Sequence, residues 1–330
     1  MIEPRLIGPR LIGRRVLVGT VLATPWIARA QASRMLSLLV GAPPGRGSDP
    51  SARAFAPFLE RHLRQTRVAV LNRPGEAGLT AMRLLADASP AGLTIGWIAS
   101  PTLPARMVDR PEAAGLLDRL RLIGAVQKEP IVFVSAPDSK LQSARDLVQR
   151  AGSDPAAMPL GTPPEGSAGH LAALRLQALA GTRLNIVAFP SSAAARQAAQ
   201  AGNVAAAALG LADALEGLRA GSLSGLGIAT QRRSNAFPAV APLRESGLVL
   251  SATILRGIAA PAGLPEEVAA ALAAALRGIT ADPEYLTAGD ESGFVPRLID
   301  GAAWAALVSE EQTQLAAIWA DSPWIIAAAG

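Results

Sequence analysis

Residues 35–49 are Met35-Leu-Ser-Leu-Leu-Val-Gly-Ala-Pro-Pro-Gly-Arg-Gly-Ser-Asp49. An apolar run of strand length ends in prolines and glycines, and a Ser-Asp pair then opens an alanine-rich segment that reads as a helix. A strand, a glycine turn and a helix N-terminus in this order present backbone N–H groups that suit a carboxylate or another small anion. The spacing matches neither the dinucleotide motif nor the nucleotide phosphate loop. Taken alone, the stretch also fits an ordinary strand-to-helix turn of an α/β protein.

The composition indicates a large core and excludes thiol chemistry. Of the 330 residues, 50% are hydrophobic, which supplies a substantial core that we expect to divide over two lobes. Cysteine is absent, and His62 and His170 are the two histidines, so a disulfide, a thiol nucleophile and a histidine-rich metal site are excluded. No cofactor is expected.

The positive charge of the chain is concentrated at its amino terminus. The first 32 residues hold four of the five net positive charges, so the rest of the chain is nearly neutral. A nearly neutral body with 4% aromatic residues lacks the basic surface and the stacking side chains of a nucleic-acid-binding protein. We therefore expect no nucleic-acid partner.

Residues 1–32 have the pattern of an export signal. The pair Arg14-Arg15 precedes an apolar segment over residues 16–27, and Ala30-Gln-Ala32 fits a small-residue cleavage site. The apolar segment is too short to span the ~30 Å hydrocarbon core of a bilayer. The arginine pair favours the twin-arginine route, with Sec export as the alternative. We expect a mature protein that begins near Ser33 and works in the periplasm of a Gram-negative bacterium.

Beyond the signal, short apolar runs alternate with alanine-rich helical runs, a pattern typical of an α/β fold. Loops rich in Gly, Pro, Ser and Thr follow several predicted strands, and ligands of open α/β sheets bind at this edge. Two such lobes would bring the loops face to face across a cleft. The pattern also predicts separate strands over residues 121–125 and 131–135 and an amphipathic helix over residues 300–320. The apolar side of that helix is predicted to hold Trp304, Leu307, Leu315, Ile318 and Trp319.

Five short motifs occur in the order and spacing of one known family. The family pattern P-F-P-P-G-G-G-x-D, then A-R, corresponds to Gly41-Ala-Pro-Pro-Gly-Arg-Gly-Ser-Asp49 and Ala52-Arg53. N-R-P-G-A-G-G corresponds to Asn72-Arg-Pro-Gly-Glu-Ala-Gly78, and P-D-G-Y-T to Pro90-Ala-Gly-Leu-Thr94. G-x-G-T-x-x-H is matched weakly by Pro164-Glu-Gly-Ser-Ala-Gly-His170, and A-P-A-G-x-P closely by Ala260-Pro-Ala-Gly-Leu-Pro265. From about residue 35 to residue 320 the chain resembles the substrate-binding proteins of tripartite tricarboxylate transporters, the Bug family.

This resemblance implies a type II periplasmic binding protein, in which each of two lobes is a mixed sheet flanked by helices. Residues 33–134 and 256–330 would form lobe 1, residues 135–255 would form lobe 2, and crossover strands would join them. The implied function is that of a monomeric periplasmic solute receptor and not of an enzyme. Such a receptor binds a small carboxylate-containing ligand in the interlobe cleft and delivers it to the membrane permease subunits of a tripartite transporter.

The predicted ligand-binding residues come from loops of both lobes. Arg46 replaces a glycine of the family loop and is either an anion partner or a solvent-facing side chain. Arg256 replaces the family's usual aromatic residue and is either an anion clamp or part of a hinge ion pair. These departures mean that a citrate-like specificity does not follow from the resemblance. The full predicted set is Pro44, Gly45, Arg46, Gly47, Ser48, Ser100, Thr102, Thr162, Ser167, Gly169, His170, Ser191, Ser192 and Arg256.

Some of these residues also have predicted structural roles. We expect Ser48 to cap the helix that begins near Pro50, and Asp49 to hold the loop. His170 stands at a predicted helix N-terminus, which disfavours its charged form, and is expected to be neutral. His62 is expected at the surface.

Two other functions stay open at this point. The chain could be a receptor that passes a signal to a sensor partner, which sequence does not separate from transport. An exported serine hydrolase is the other alternative, but no Gly-x-Ser-x-Gly elbow occurs at a strand-to-helix turn.

Overall fold

The computed structural model describes Met1 and residues 34–324. Apart from Met1, the predicted export signal lies outside the described residues. The strands are β1 (Arg34–Val40), β2 (Thr66–Asn72), β3 (Thr94–Ser100), β4 (Leu120–Ser135), β5 (Pro159–Thr162), β6 (Asn185–Ala188), β7 (Ala206–Gly210), β8 (Ser224–Ile228), β9 (Thr253–Pro261) and β10 (Val295–Asp300). The helices are α1 (Asp49–His62), α2 (Leu79–Ala86), α3 (Thr102–Asp109), α4 (Ala144–Ser153), α5 (Ala168–Ala180), α6 (Ser192–Gln200), α7 (Leu211–Arg219), α8 (Glu266–Ala281), α9 (Pro283–Ser292) and α10 (Gly301–Asp321).

The strands form one mixed sheet with two halves, and the predicted two-lobed α/β class is confirmed. In the first half β1 lies parallel to β2 and β3, and β9 is antiparallel to β3. In the second half β5 lies parallel to β6 and β7, and β7 is antiparallel to β4. Since β4 pairs with β9 on one side and with β7 and β8 further along, it belongs to both halves. The exact lobe boundaries stay a prediction.

The prediction of separate strands over residues 121–125 and 131–135 is wrong, because β4 is continuous from Leu120 to Ser135. Gln127 and Glu129 are polar residues that suggest a loop between two strands. In the structure they are buried and lie opposite Arg256 and Ile254 in the ladder with β9. Pro130 stands where pairing passes from β9 to β7. Two register shifts also let the strand bend without ending.

Side chains alternate between the faces of the sheet, and each face of each half has its own core. On β1, Leu36 and Leu38 pack in a cluster with α1 and α8, whereas Leu39 packs on the opposite face with α2 and Trp304 of α10. In the second half, Phe133 faces α4 and α5, and Val132 faces α6 and α7. Helices therefore cover both faces of each half.

The last helix, α10, presents a narrower apolar face than the sequence pattern predicts. Trp304, Val308 and Leu315 are buried, but Leu307 is 42% exposed. Placing Leu307 on the packed side is therefore wrong. Position 308 is one turn beyond Trp304 and lies in line with it, which turns position 307 toward solvent.

The region between α8 and α10 holds elements that the sequence pattern did not predict. Helix α9 is capped by Asp282, whose carboxylate accepts a hydrogen bond from the Glu284 N–H at 3.0 Å. The same carboxylate lies 3.2 Å from His62 Nε2. His62, the last residue of α1, is thus half-buried against α8 and the cap of α9, which corrects the expectation of a surface histidine.

Candidate ligand-binding site

A cavity of about 420 Å³ lies where the strand-end loops of both halves meet. The loops that follow β1, β2, β3, β5 and β6 all contribute residues to its wall, as do Arg256 of β9 and Asp213 of α7. The volume is within the range of small-molecule sites, about 300–1,000 Å³. The loops therefore meet as the strand-end rule predicts for open α/β sheets.

Most of the predicted site residues lie on the cavity wall. They are Arg46, Gly47, Ser48, Thr102, Ser167, Gly169, Ser191, Ser192 and Arg256. The structure places Pro44, Gly45, Ser100, Thr162 and His170 off that wall. Ser100 is buried, and its hydroxyl accepts a hydrogen bond from Trp304 Nε1 at 3.2 Å. Thr162 and His170 are also buried, the latter in the first turn of α5. A role in ligand contact stays a prediction for the whole set.

The loop after β1 is held by the buried carboxylate of Asp49. It accepts hydrogen bonds from the Gly45 N–H at 2.7 Å, Asn72 Nδ2 at 2.7 Å and Arg53 Nε at 3.0 Å. Burial raises the pKa of Asp49, but these hydrogen bonds outweigh it and hold that pKa below its usual value. Gly45 and Gly47 have φ of 72° and 56°, in the left-handed region that favours glycine. Asp49 has the loop-holding role predicted for it.

Ser48 stands at the N-cap position of α1, but its hydroxyl makes no capping hydrogen bond, which corrects the predicted cap. With φ of −80° and ψ of −6° its backbone is already helical, whereas a capping serine needs an extended backbone to reach the N–H groups ahead of it. The Ser48 side chain is therefore left beside the cavity without a capping bond.

Two helices of the second half direct their N-termini toward the cavity. Ser167 caps α5 by accepting a hydrogen bond from the His170 N–H at 3.3 Å. Ser191 caps α6 by accepting one from the Ala194 N–H at 3.1 Å. Both caps lie on the wall. Free N–H groups and the positive ends of the two helix dipoles there favour an anion.

Three arginines lie on the wall, and two of them have carboxylate partners. Arg256 pairs with Glu129, so an ion pair of the kind that the sequence left open is present, although Arg256 also lines the cavity. Arg106 is buried and pairs with Asp109 at 2.5 Å, and its Nη2 donates to the Glu165 carbonyl at 3.2 Å. In the described part of the chain Arg46 makes no ion pair.

The sequence analysis did not predict that Arg106 and Asp213 lie on the cavity wall. Arg106 belongs to α3, a helix that the sequence pattern did not predict. Asp213 lies in the first turn of α7, directly after β7, so the strand-end rule applied to this connection would have found it. Burial and the nearby carboxylate of Glu129 raise the pKa of Asp213 to about 6.

His170 is neutral at physiological pH, as expected, but for a different main reason. Burial, together with the nearby Arg106 guanidinium, lowers the pKa of His170 to about 4.

The family model described as the tripartite tricarboxylate transporter family receptor matches residues 51–321. The chain belongs to this receptor family. A UPF0065 protein of Bordetella bronchiseptica is 30% identical to this receptor over 287 residues, which are 84% of each chain. The solved structure of MatC from Rhodopseudomonas palustris, with bound malate, has a TM-score of 0.75 at 23% identity and covers 86% of this chain and 98% of that one.

Another R. palustris protein, solved with adipate, is similar in fold to this receptor. Its TM-score is 0.79 at 21% identity, and the match covers 88% of this chain and 97% of that one. Both the family and the fold are those of solute-binding receptors. Within the described residues, no helix of the receptor is long and apolar enough to cross a membrane.

Proposed function

We propose that this receptor works in the periplasm, binds a small organic carboxylate between its two lobes and delivers it to the permease subunits of a tripartite transporter. The observation that carries the proposal is the cavity wall, which holds the N-termini of α5 and α6 and the loop of Arg46, an arginine without an ion-pair partner among the described residues. Both the helix N-termini and the Arg46 guanidinium suit a carboxylate. The malate and adipate in the two solved relatives support the same ligand class.

The proposed mechanism is closure of the lobes around the ligand, without catalysis. Because the anion-binding groups belong to loops of both halves, a ligand that touches both stabilises the closed arrangement over the open one. The ladder between β4 and β9 joins the halves and is the natural hinge. The ligand makes contacts in the closed arrangement that it does not make in the open one. The permease then binds the closed receptor with its ligand inside.

Calorimetric titration and thermal unfolding of the mature chain test this proposal. The probes are dicarboxylates including malate and adipate, aromatic acids and amino acids. A true ligand at 100 times its Kd adds about 2.7 kcal/mol to the free energy of unfolding. If no organic acid binds or stabilises the protein, the receptor proposal fails. Uptake of the bound acid by cells with and without the permease subunits then separates transport from a sensing role.

A further inference from the structure

The cavity wall carries charges of both signs, and not all of them would attract an anionic ligand. Six charged residues line it, and three of them have partners: Arg106 with Asp109, Arg256 with Glu129, and Glu76 with Arg83 at 2.7 Å. Within the described residues, the other three, Arg46, Glu165 and Asp213, make no ion pair. Among the described residues, the lining thus offers one cation without an ion-pair partner and, on the opposite half, two carboxylates without one.

Of these two carboxylates, Asp213 is the less exposed to solvent. Glu165 is exposed, whereas Asp213 is half-buried and accepts a hydrogen bond from the Ser192 hydroxyl. An acidic residue in the first turn of a helix normally serves to stabilise the helix end. Here that explanation is insufficient, because burial and Glu129 disfavour the charged form of Asp213 and together outweigh Ser192, Arg256 and Arg196, which favour it, so that its pKa is raised. A ligand cation would relieve this cost, and a second ligand carboxylate would increase it.

Part of the wall is apolar. Leu39, Met82, Leu85 and Ile98, which pack in one cluster on the α2 face of the first half, border the cavity, and Trp97 borders it from the opposite face of the sheet. The Trp97 indole N–H is already used, since it donates to Ser51 Oγ at 3.0 Å. This part of the wall therefore suits a hydrocarbon or aromatic body and offers few partners to a second polar group.

We propose that the ligand is an α-amino acid with an apolar side chain, bound with its carboxylate near Arg46 and the helix N-termini and its ammonium against Asp213. The apolar wall receives the side chain. This inference rests on the proposed receptor function and narrows its ligand class. A simple dicarboxylate would leave Asp213 facing a like charge and the apolar wall facing a polar group.

Matched probes test the proposal by calorimetric titration of the mature protein at pH 7.5. Leucine is compared with 4-methylpentanoate and phenylalanine with 3-phenylpropanoate, pairs that differ only in the amino group. We expect the amino acid of at least one pair to bind at least about tenfold more tightly than its des-amino partner, the lower range for a hydrogen bond between charged groups. Asp213→Asn should remove this difference, while Glu216→Gln, an exposed carboxylate on the same helix, should preserve it.

The outcomes separate this inference from the receptor proposal. If malate, adipate or the des-amino acids bind as tightly as the amino acids, or if D213N weakens both members of a pair equally, the inference is overturned and the receptor function stands. If no organic acid of any class binds, both this inference and the receptor proposal are wrong. Even if D213N does not fold, the comparison of matched probes on the wild-type protein shows whether the amino group of the ligand strengthens binding.

Discussion

Arg46 lies on the cavity wall without a carboxylate partner in the described part of the chain, unlike Arg106 and Arg256. A guanidinium that pairs with a ligand carboxylate contributes about 1.5–3 kcal/mol when the contact is shielded from water. We therefore expect Arg46→Ala to weaken ligand binding by that amount, measured by titration calorimetry. Arg73→Ala removes an exposed arginine from a neighbouring loop, off the wall, and should leave the affinity unchanged. Equal affinities for wild type and Arg46→Ala would show that Arg46 faces solvent in the complex.

His170 should make the protein sensitive to acid. Its pKa is about 4 in the folded chain against 6.5 normally, so folding favours the neutral ring. The associated stability is fully present above pH 6.5 and is lost as the pH falls toward 4, by up to about 1.4 kcal/mol per pH unit.

We expect His170→Gln to reduce this acid dependence, measured as the free energy of unfolding in urea at pH 7.5, 6, 5 and 4.5. The difference between wild type and variant is the quantity to follow, because Asp213 acts in the opposite direction over the same pH range and cancels in it. A constant difference across this range would contradict the assignment of a neutral, buried His170.

At the scale of elements, the ladder between β4 and β9 requires very close backbones. A Cβ atom on Gly257 would overlap the Gly124 carbonyl and the Ala125 Cα, which are backbone atoms of β4. We expect Gly257→Ala to lower the free energy of unfolding by about 3 kcal/mol, the upper range for overpacking, because the strand cannot move aside cheaply. Gly263→Ala, whose Cβ would meet only Pro90 at ordinary contact distance, is the matched control. Similar urea midpoints for the two variants would show that the ladder is free to separate.

At the scale of the whole molecule, a small cluster outside the sheet joins the two halves. Ala105 of α3, Leu171 of α5 and Leu315 of α10 pack with Trp324, and the Trp324 indole N–H donates to Asp109 at 2.6 Å. Asp109 in turn holds Arg106 on the cavity wall. Trp324 is thereby coupled to the site through buried contacts.

Truncating this contact should affect both stability and binding. We expect Trp324→Ala to lower the free energy of unfolding by about 3–5 kcal/mol and to weaken ligand binding, since Asp109 loses a partner. Trp324→Phe retains most of the packing, and its smaller loss isolates the hydrogen bond. Urea unfolding and titration calorimetry of both variants are the measurements. Unchanged affinity in Trp324→Ala would show that Arg106 is held without help from the carboxyl-terminal segment.

Local features of the site were predictable from neighbours in the sequence. The turn at residues 41–48, the caps Ser167 and Ser191 and the loop-holding Asp49 depend on glycine φ angles, short-range hydrogen bonds and strand-end polarity. The Ser48 cap failed for a local reason as well, a ψ angle that the residue type does not set. The hydrogen bond that the Ser100 hydroxyl accepts from Trp304 was not predictable in this way, because Trp304 is distant in the sequence.

The sequence by itself determined the family, the α/β class and the loops that meet at the cavity, because these follow from hydrophobic periodicity, turn chemistry and motifs in register. Only the tertiary structure decided that β4 runs unbroken through both halves, that Arg256 is paired with Glu129, and that Asp213 faces the same cavity as Arg46. These outcomes depend on which distant strands pair and on which charges are buried together. Burial and pairing set the free energy of each charge, and neither is encoded in any short stretch of the chain.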